Sequence, residues 1–197
     1  MKIWKVKGDI NWRECFDVED FYNNKLNLYN FHDKDVVEDW PGLKVSFISH
    51  KKRIDACELK NITEFSFFSF LFVCDEYAKN IISQKYNCIQ FLPVTPIEKE
   101  YAEKTNFYLP NVLNVVEVLD EEKSECRYLQ DKYLVEVTNY YFKEEALKYP
   151  IFYLKVKDHV FLDLFVTDEF KKYTEEANIS GFSFEEVFDF DKIERGN

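Results

Sequence analysis

Acidic residues are the side chains of this sequence best placed to do chemistry, and they come in runs. "DVED" (17–20), "DKDVVED" (33–39), "DEEKSE" (120–125) and "EEVFDFDKIE" (185–194) hold many of the 37 Asp and Glu. Two carboxylates at a fixed distance, with pKa values pushed apart, make a hydrolase acid–base pair. Spacing along a chain does not set that distance, and runs of acids are ordinarily solvated faces. "DKDVVED" also lacks the glycine and the terminal glutamate of a calcium loop. The three histidines, His32, His50 and His159, are far apart, and none has zinc-type spacing to another His or to a Cys. The cysteines are Cys15, Cys57, Cys74, Cys88 and Cys126. An odd number without a Cys-x-x-Cys pair fits reduced thiols in a cytosolic protein. With only Gly8, Gly42, Gly181 and Gly196 there is no phosphate-cradling loop, and no Gly-x-Ser-x-Gly elbow occurs. No catalytic set, metal site or cofactor site is therefore expected. The enzyme reading left open is a small polar substrate handled by acids and histidines that the fold gathers.

The same acids can serve recognition. In "DKDVVEDWPG", Trp40 follows Asp33, Asp35, Glu38 and Asp39. A Trp among carboxylates can anchor a basic partner, because Trp is enriched where binding energy concentrates. The competing reading packs Trp40 into the core and leaves the acids on a loop. Asp120, Glu121 and Glu122 of "DEEKSE" form a second candidate patch. The formal net charge is −11, which disfavours nucleic acid and anionic membrane and favours a basic protein.

The elements that must position these loops follow from pattern. Hydrophobic residues make up 46% and aromatic residues 18% of the 197 residues, which argues against disorder. Four Gly and five Pro leave no linker, so residues 1–197 are expected to form a single domain. "MKIWKVKGDINW" is too charged for a signal core and "FSFFSFLFVC" (65–74) too short to span a bilayer, so a cytoplasmic protein is expected.

One phrase occurs twice. "LFVCDEYAKNIISQKYNCIQFLPV" (71–94) and "LFVTDEFKKYTEEANISGFSFEEV" (164–187) align without a gap at an offset of 93, with eight of 24 positions identical. Each reads strand–helix–strand. Asp75 in one copy, and Thr167 or Asp168 in the other, can cap the helix, with Glu76 and Glu169 in its first turn. Phe170, Tyr173, Thr174 and Ala177 share one helical face; Tyr77, Ile81 and Lys85 do so less cleanly. Cys74 precedes a helix, where a thiol pKa can fall, but its counterpart is Thr167, so a place in the cap region is the simpler role. Duplication and convergence both explain the match. Further strands are expected at 2–7, 43–48, 112–119, 133–137, 151–156 and 160–166, the last two as a hairpin, with helices near 17–28 and 96–104. The fold class is α+β, a mixed sheet with a few helices.

The order of phrases resembles a family of bacterial immunity proteins from polymorphic toxin systems. The matching residues are Trp40-Pro41, Phe91-Leu92-Pro93-Val94, Asn111-Val112-Leu113 with Asp120 and Ser124, and Gly181 with Phe184-Glu185 and Val187. The resemblance covers roughly residues 35–190. It departs from the family pattern at Cys74 and at "NYYFKEEALKYP" (139–150), which reads as an insert. It implies a cytoplasmic antidote that binds and neutralises a cognate toxin, with no catalytic residues to carry over. A general protein-binding adaptor is the other non-enzymatic reading.

Overall fold

A computed structural model of the chain describes residues 1–8, 14–18, 34–49, 65–68, 71–130, 133–157 and 159–194. In chain order, β1 (Lys2–Gly8) is followed by β2 (Glu14–Val18), β3 (Leu43–Ser49), β4 (Phe65–Phe68) and β5 (Leu71–Asp75). Next come α1 (Glu76–Ser83), β6 (Ile89–Pro96), the short α2 (Lys99–Ala102) and β7 (Phe107–Val112). β8 (Val115–Val116), β9 (Glu125–Leu129) and β10 (Tyr133–Asn139) precede a 3₁₀ turn at Glu144–Lys148. Then follow β11 (Ile151–Val156), β12 (His159–Thr167), α3 (Asp168–Glu176), β13 (Phe182–Asp189) and α4 (Phe190–Glu194). The class is α+β with mixed sheets, as expected. The chain divides into two compact units. Unit 1 comprises Met1–Val6, Asn114–Glu175 and Phe184–Asn197; unit 2 comprises Lys7–Leu113 and Glu176–Ser183.

Unit 2 holds a six-stranded sheet in the order β2-β3-β6-β7-β5-β4. β6 and β5 each run antiparallel to β7 and are therefore parallel to one another, with β7 between them. The β3–β6 pair is also parallel, through Leu43↔Val94 and Val45↔Pro96. Its core includes Val45, Cys74, Ala78, Ile82, Leu92 and Leu109.

Unit 1 holds a five-stranded sheet, β13-β1-β12-β11-β8, and the β9–β10 ribbon. β11 and β12 form the expected hairpin, with Val156 opposite His159. The core is aromatic. Phe165 is fully buried and meets the rings of Tyr140 at 5.4 Å, Phe142 at 5.6 Å and Phe152 at 5.8 Å. Tyr140 and Phe142 belong to the stretch that reads as an insert. It is instead core, with Ala146 buried as well. Two buried rings two residues apart carry no helical or strand period long enough to be read.

The repeated phrase folds as expected. β6 and β13 coincide residue for residue at the offset of 93, and α1 and α3 end at equivalent residues. The helices differ by one residue of phase. α1 buries Ala78 and Ile82 and leaves Tyr77 exposed, whereas α3 buries Phe170 and Thr174. The cause lies at the caps. Asp75 accepts from Ala78 N–H at 2.9 Å and caps α1. α3 begins one position earlier, at Asp168 itself. The Asp168 carboxylate instead takes Lys2 N–H at 2.9 Å and the Trp4 indole at 2.8 Å, which pins β1 beside β12. Cys74 is not a cap residue. It is fully buried on β5, and burial pushes its thiol well above the ordinary range, away from nucleophile chemistry.

Other expectations shift. The strand expected at 112–119 is two elements in different units, β7 ending at Val112 and β8 at Val115–Val116. Asn114 breaks the run: its side chain donates to Ile151 C=O at 3.0 Å and its own C=O accepts from Tyr153 N–H at 2.8 Å. Of the helix expected at 17–28, Asp17 and Val18 lie in β2, which pairs with β3 through Val18↔Val45. The remainder of that range is outside the described residues. The helix expected at 96–104 is the single turn α2.

Candidate functional site

The first acidic candidate, residues 34–42, is a surface loop of unit 2 leading into β3. Gln90 on β6 and Asn111 on β7 sit opposite one another and hold it. Asn111 donates through Nδ2 to Lys34 C=O and to Gln90 Oε1, both at 3.0 Å. Gln90 Nε2 donates to Asp35 Oδ1 at 2.6 Å, and Asp35 Oδ1 also accepts from Val37 N–H at 3.1 Å. Val36 is buried beneath the loop. Further on, Trp40 Nε1 donates to Pro93 C=O at 2.7 Å. Trp40 is thus neither core nor free anchor: it is half-buried and fastens the loop to β6. Gly42, at φ +76°, turns the chain into β3 in a conformation that favours glycine.

These contacts sort the candidates. Asp35 is committed to holding the loop. Glu38 and Asp39 are exposed beside Val37, which is 57% exposed. Asp33 lies outside the described residues. Trp40→Phe removes one hydrogen bond and is expected to cost about 1 kcal/mol. Faster hydrogen exchange at the Val37 amide would report the loosened loop; unchanged exchange would show that the indole does not hold it.

The second candidate, Asp120–Ser124, is a turn of unit 1. Asp120 N–H donates to Tyr141 C=O at 2.8 Å, Ser124 N–H to Asp120 C=O at 2.9 Å, and Tyr141 N–H to Ser124 Oγ at 2.9 Å. The Asp120 carboxylate pairs with Lys123 Nζ at 3.0 Å. Glu121 accepts from Tyr128 O–H at 2.5 Å, and Lys157 Nζ lies 4.1 Å from the Tyr128 ring centroid. Glu121 and Glu122 are exposed. Asp120 is therefore a positioning residue of the turn. The Lys123 hydrogen bond, then the backbone donors at Lys123 and Glu122, hold its carboxyl below the ordinary carboxylate range. A depressed carboxylate contributes stability above its unfolded pKa and loses it as pH falls through the folded one. The turn is expected to loosen only under acid, below the usual Asp range, and NMR titration of the Asp120 carboxyl against Asp120→Asn would show it. A midpoint at or above the ordinary Asp value would refute the Lys123 pairing.

The gathered-acid enzyme reading finds little support among the described residues. The carboxylates with resolved shifts, Glu117, Asp120 and Glu186, are all lowered, each first by a lysine hydrogen bond. A general acid needs the opposite shift. In the run at 185–194, Glu186 is bridged by Lys2 at 2.5 Å and Lys192 at 2.8 Å. His159 is exposed, while His32 and His50 lie outside the described residues. Cys74, Cys88 and Cys126 form no disulfide. Among the described residues no group of three or more His, Cys, Asp or Glu is placed to hold a metal ion, and no helix is long and apolar enough to cross a membrane.

Sequence reasoning missed Gln90 and gave Asn111 only as a motif residue of the resemblance, with no role in holding the loop. Their only local signal is polarity inside strands otherwise made of Ile89, Phe91, Leu109 and Val112. Two segments of the resemblance nevertheless meet the Trp-Pro loop here, since Trp40 reaches Pro93, and Asn111 reaches the start of the loop.

Among the described residues, fold and loops together describe an α+β protein that presents ordered acidic turns rather than a reactive cluster. The model of the immunity protein family Imm11 matches residues 12–189, and the chain belongs to that family. A search of curated proteins finds no match. Membership points to an immunity role, that of an inhibitor rather than an enzyme.

Proposed function

We propose that this protein is the antidote of a toxin–immunity pair: it binds a cognate bacterial toxin domain in the cytoplasm and blocks it. The observation that carries the reading is the family match across residues 12–189. Because that match runs through both units, they are proposed to act as one immunity domain. The toxin domain is proposed to be basic, because a −11 charge speeds encounter with a positive partner. The docking surface is proposed to include either Glu38, Asp39 and Trp40, next in sequence to Asp33 and Asp35, or the other candidate patch, Glu121 and Glu122. Asp120 supports its turn rather than meeting the partner. Support comes from the fastening of the 34–42 loop, since a loop fixed before binding costs less to order.

The test is co-expression with a candidate toxin domain drawn from a gene next to this one. A stoichiometric complex on co-purification and restored growth of toxin-expressing cells are expected. Unabated killing with no complex, both proteins being folded and abundant, would sink the proposal.

A further inference from the structure

The repeated phrase extends further than its sequence. In unit 2 the strand order β6-β7-β5-β4 contains the phrase's two strands, β5 and β6, with β7 inserted between them. In unit 1 the order β13-β1-β12-β11 contains β12 and β13, with β1 inserted between them. The outer neighbours correspond too. β4 runs antiparallel to β5 with Phe67 opposite Phe72, and β11 runs antiparallel to β12 with Phe152 opposite Phe165. Phe72 and Phe165 are equivalent at the offset of 93. The inserted strands take the same register. Cys74 faces Tyr108 on β7, and its counterpart Thr167 faces Ile3 on β1. Each copy then adds a short helix after its last strand, α2 after β6 and α4 after β13.

Beyond the helix phase, the chain order of the inserted strand differs. In unit 2 the chain runs β6–α2–β7, so the inserted strand follows in sequence. In unit 1 the inserted strand is residues 2–8, which precede everything else in the module. We infer that the two units are copies of one module, β–β–α–β–α–β, and that unit 1 is its circular permutant, closed by β1 where unit 2 is closed by β7. The join that permutation would leave open is visible. Phe190 N–H, the first residue of α4, donates to Met1 C=O at 3.0 Å, so the end of β13 meets the start of β1. Chance convergence on a capped strand–helix–strand explains the phrase alone. It does not explain a matching inserted strand, a matching outer strand, a matching register and a matching short helix.

The experiment joins Asn197 directly to Met1 in two full-length chains. One is reopened between Gly8 and Asp9, which restores the order found in unit 2. The other is reopened between Lys157 and Asp158, in the β11–β12 connection. Permutation succeeds where the joined ends are close and the opened site is exposed. Expected for the first chain is cooperative unfolding within about 5 °C of the parent, a shift worth about 1 kcal/mol or a little more. Hydrogen exchange should show β1 amides as protected as in the parent. If only the second chain behaves this way, the join is still accepted and the inference stands, with the cut at Gly8 at fault. If neither chain unfolds cooperatively, or β1 loses protection in both, the inference is overturned.

Discussion

Phe165→Ala is expected to destabilise unit 1 by about 3–5 kcal/mol, the range for emptying a buried aromatic site. Phe165 is fully buried, and three rings surround it, those of Tyr140, Phe142 and Phe152. Its removal deletes one side chain and leaves these neighbours facing a void. They are held by separate segments, the strand β11 and the 139–150 stretch, so the site cannot collapse by a single rotamer change. The loss corresponds to roughly 10 °C in thermal midpoint for a chain of this size. Urea unfolding followed by hydrogen exchange would locate it, with β11 and β12 amides opening first and β6 and β7 amides little affected. A loss below about 1 kcal/mol would show that the ring cluster is not close-packed. Phe142→Ala should act in the same place, because Phe142 also stacks on Tyr140 at 5.8 Å. The double variant is expected to cost less than the sum of the two, since the residues share contacts.

That cluster shows where the sequence was legible and where it was not. The strand–helix–strand phrase could be read because its signals are local: alternating strands, a capping aspartate, an acidic first turn. β11 and β12 could be read for the same reason. The stretch around Tyr140 and Phe142 could not, because its rings are recruited by residues far away in sequence, Phe165 and Phe188. The run "VLNVVEVL" misled for the converse reason. Its apolar pattern resumes at Val115 after the single polar Asn114, which reads as one strand, while Asn114 turns the chain by bonding β11. The helix phase shift was hidden in one cap. Asp75 and Asp168 are the same letter in the same place, yet one closes a helix and the other fastens a distant strand. The acidic loops were legible as loops. Which of their acids remain available was not, because Asp35 is taken by Gln90 and Asp120 by Lys123.

That sorting sharpens the expected effect of charge on toxin binding. Reversing Glu38 and Asp39 together to Lys is expected to slow association with a basic toxin domain roughly tenfold at low salt, the lower end of what steering contributes. Both side chains are exposed and neither fastens the loop, so stability should stay within about 0.5 kcal/mol of the parent. Asp35→Lys is the wrong probe, because it also breaks the Gln90 hydrogen bond and mixes folding with binding. Glu122→Lys tests the other patch without touching the Tyr128–Glu121 bond. The effects should fade as ionic strength rises, because the Debye length is only about 8 Å at physiological salt. Val37→Ala should behave differently. Val37 is apolar and exposed, so its loss removes contact area and is expected to speed dissociation while leaving association unchanged. Stopped-flow association across a salt series separates these outcomes. An unchanged on-rate at low salt for both charge reversals, or tighter binding as salt is added, would refute electrostatic steering while leaving the immunity role to be judged by the growth assay alone.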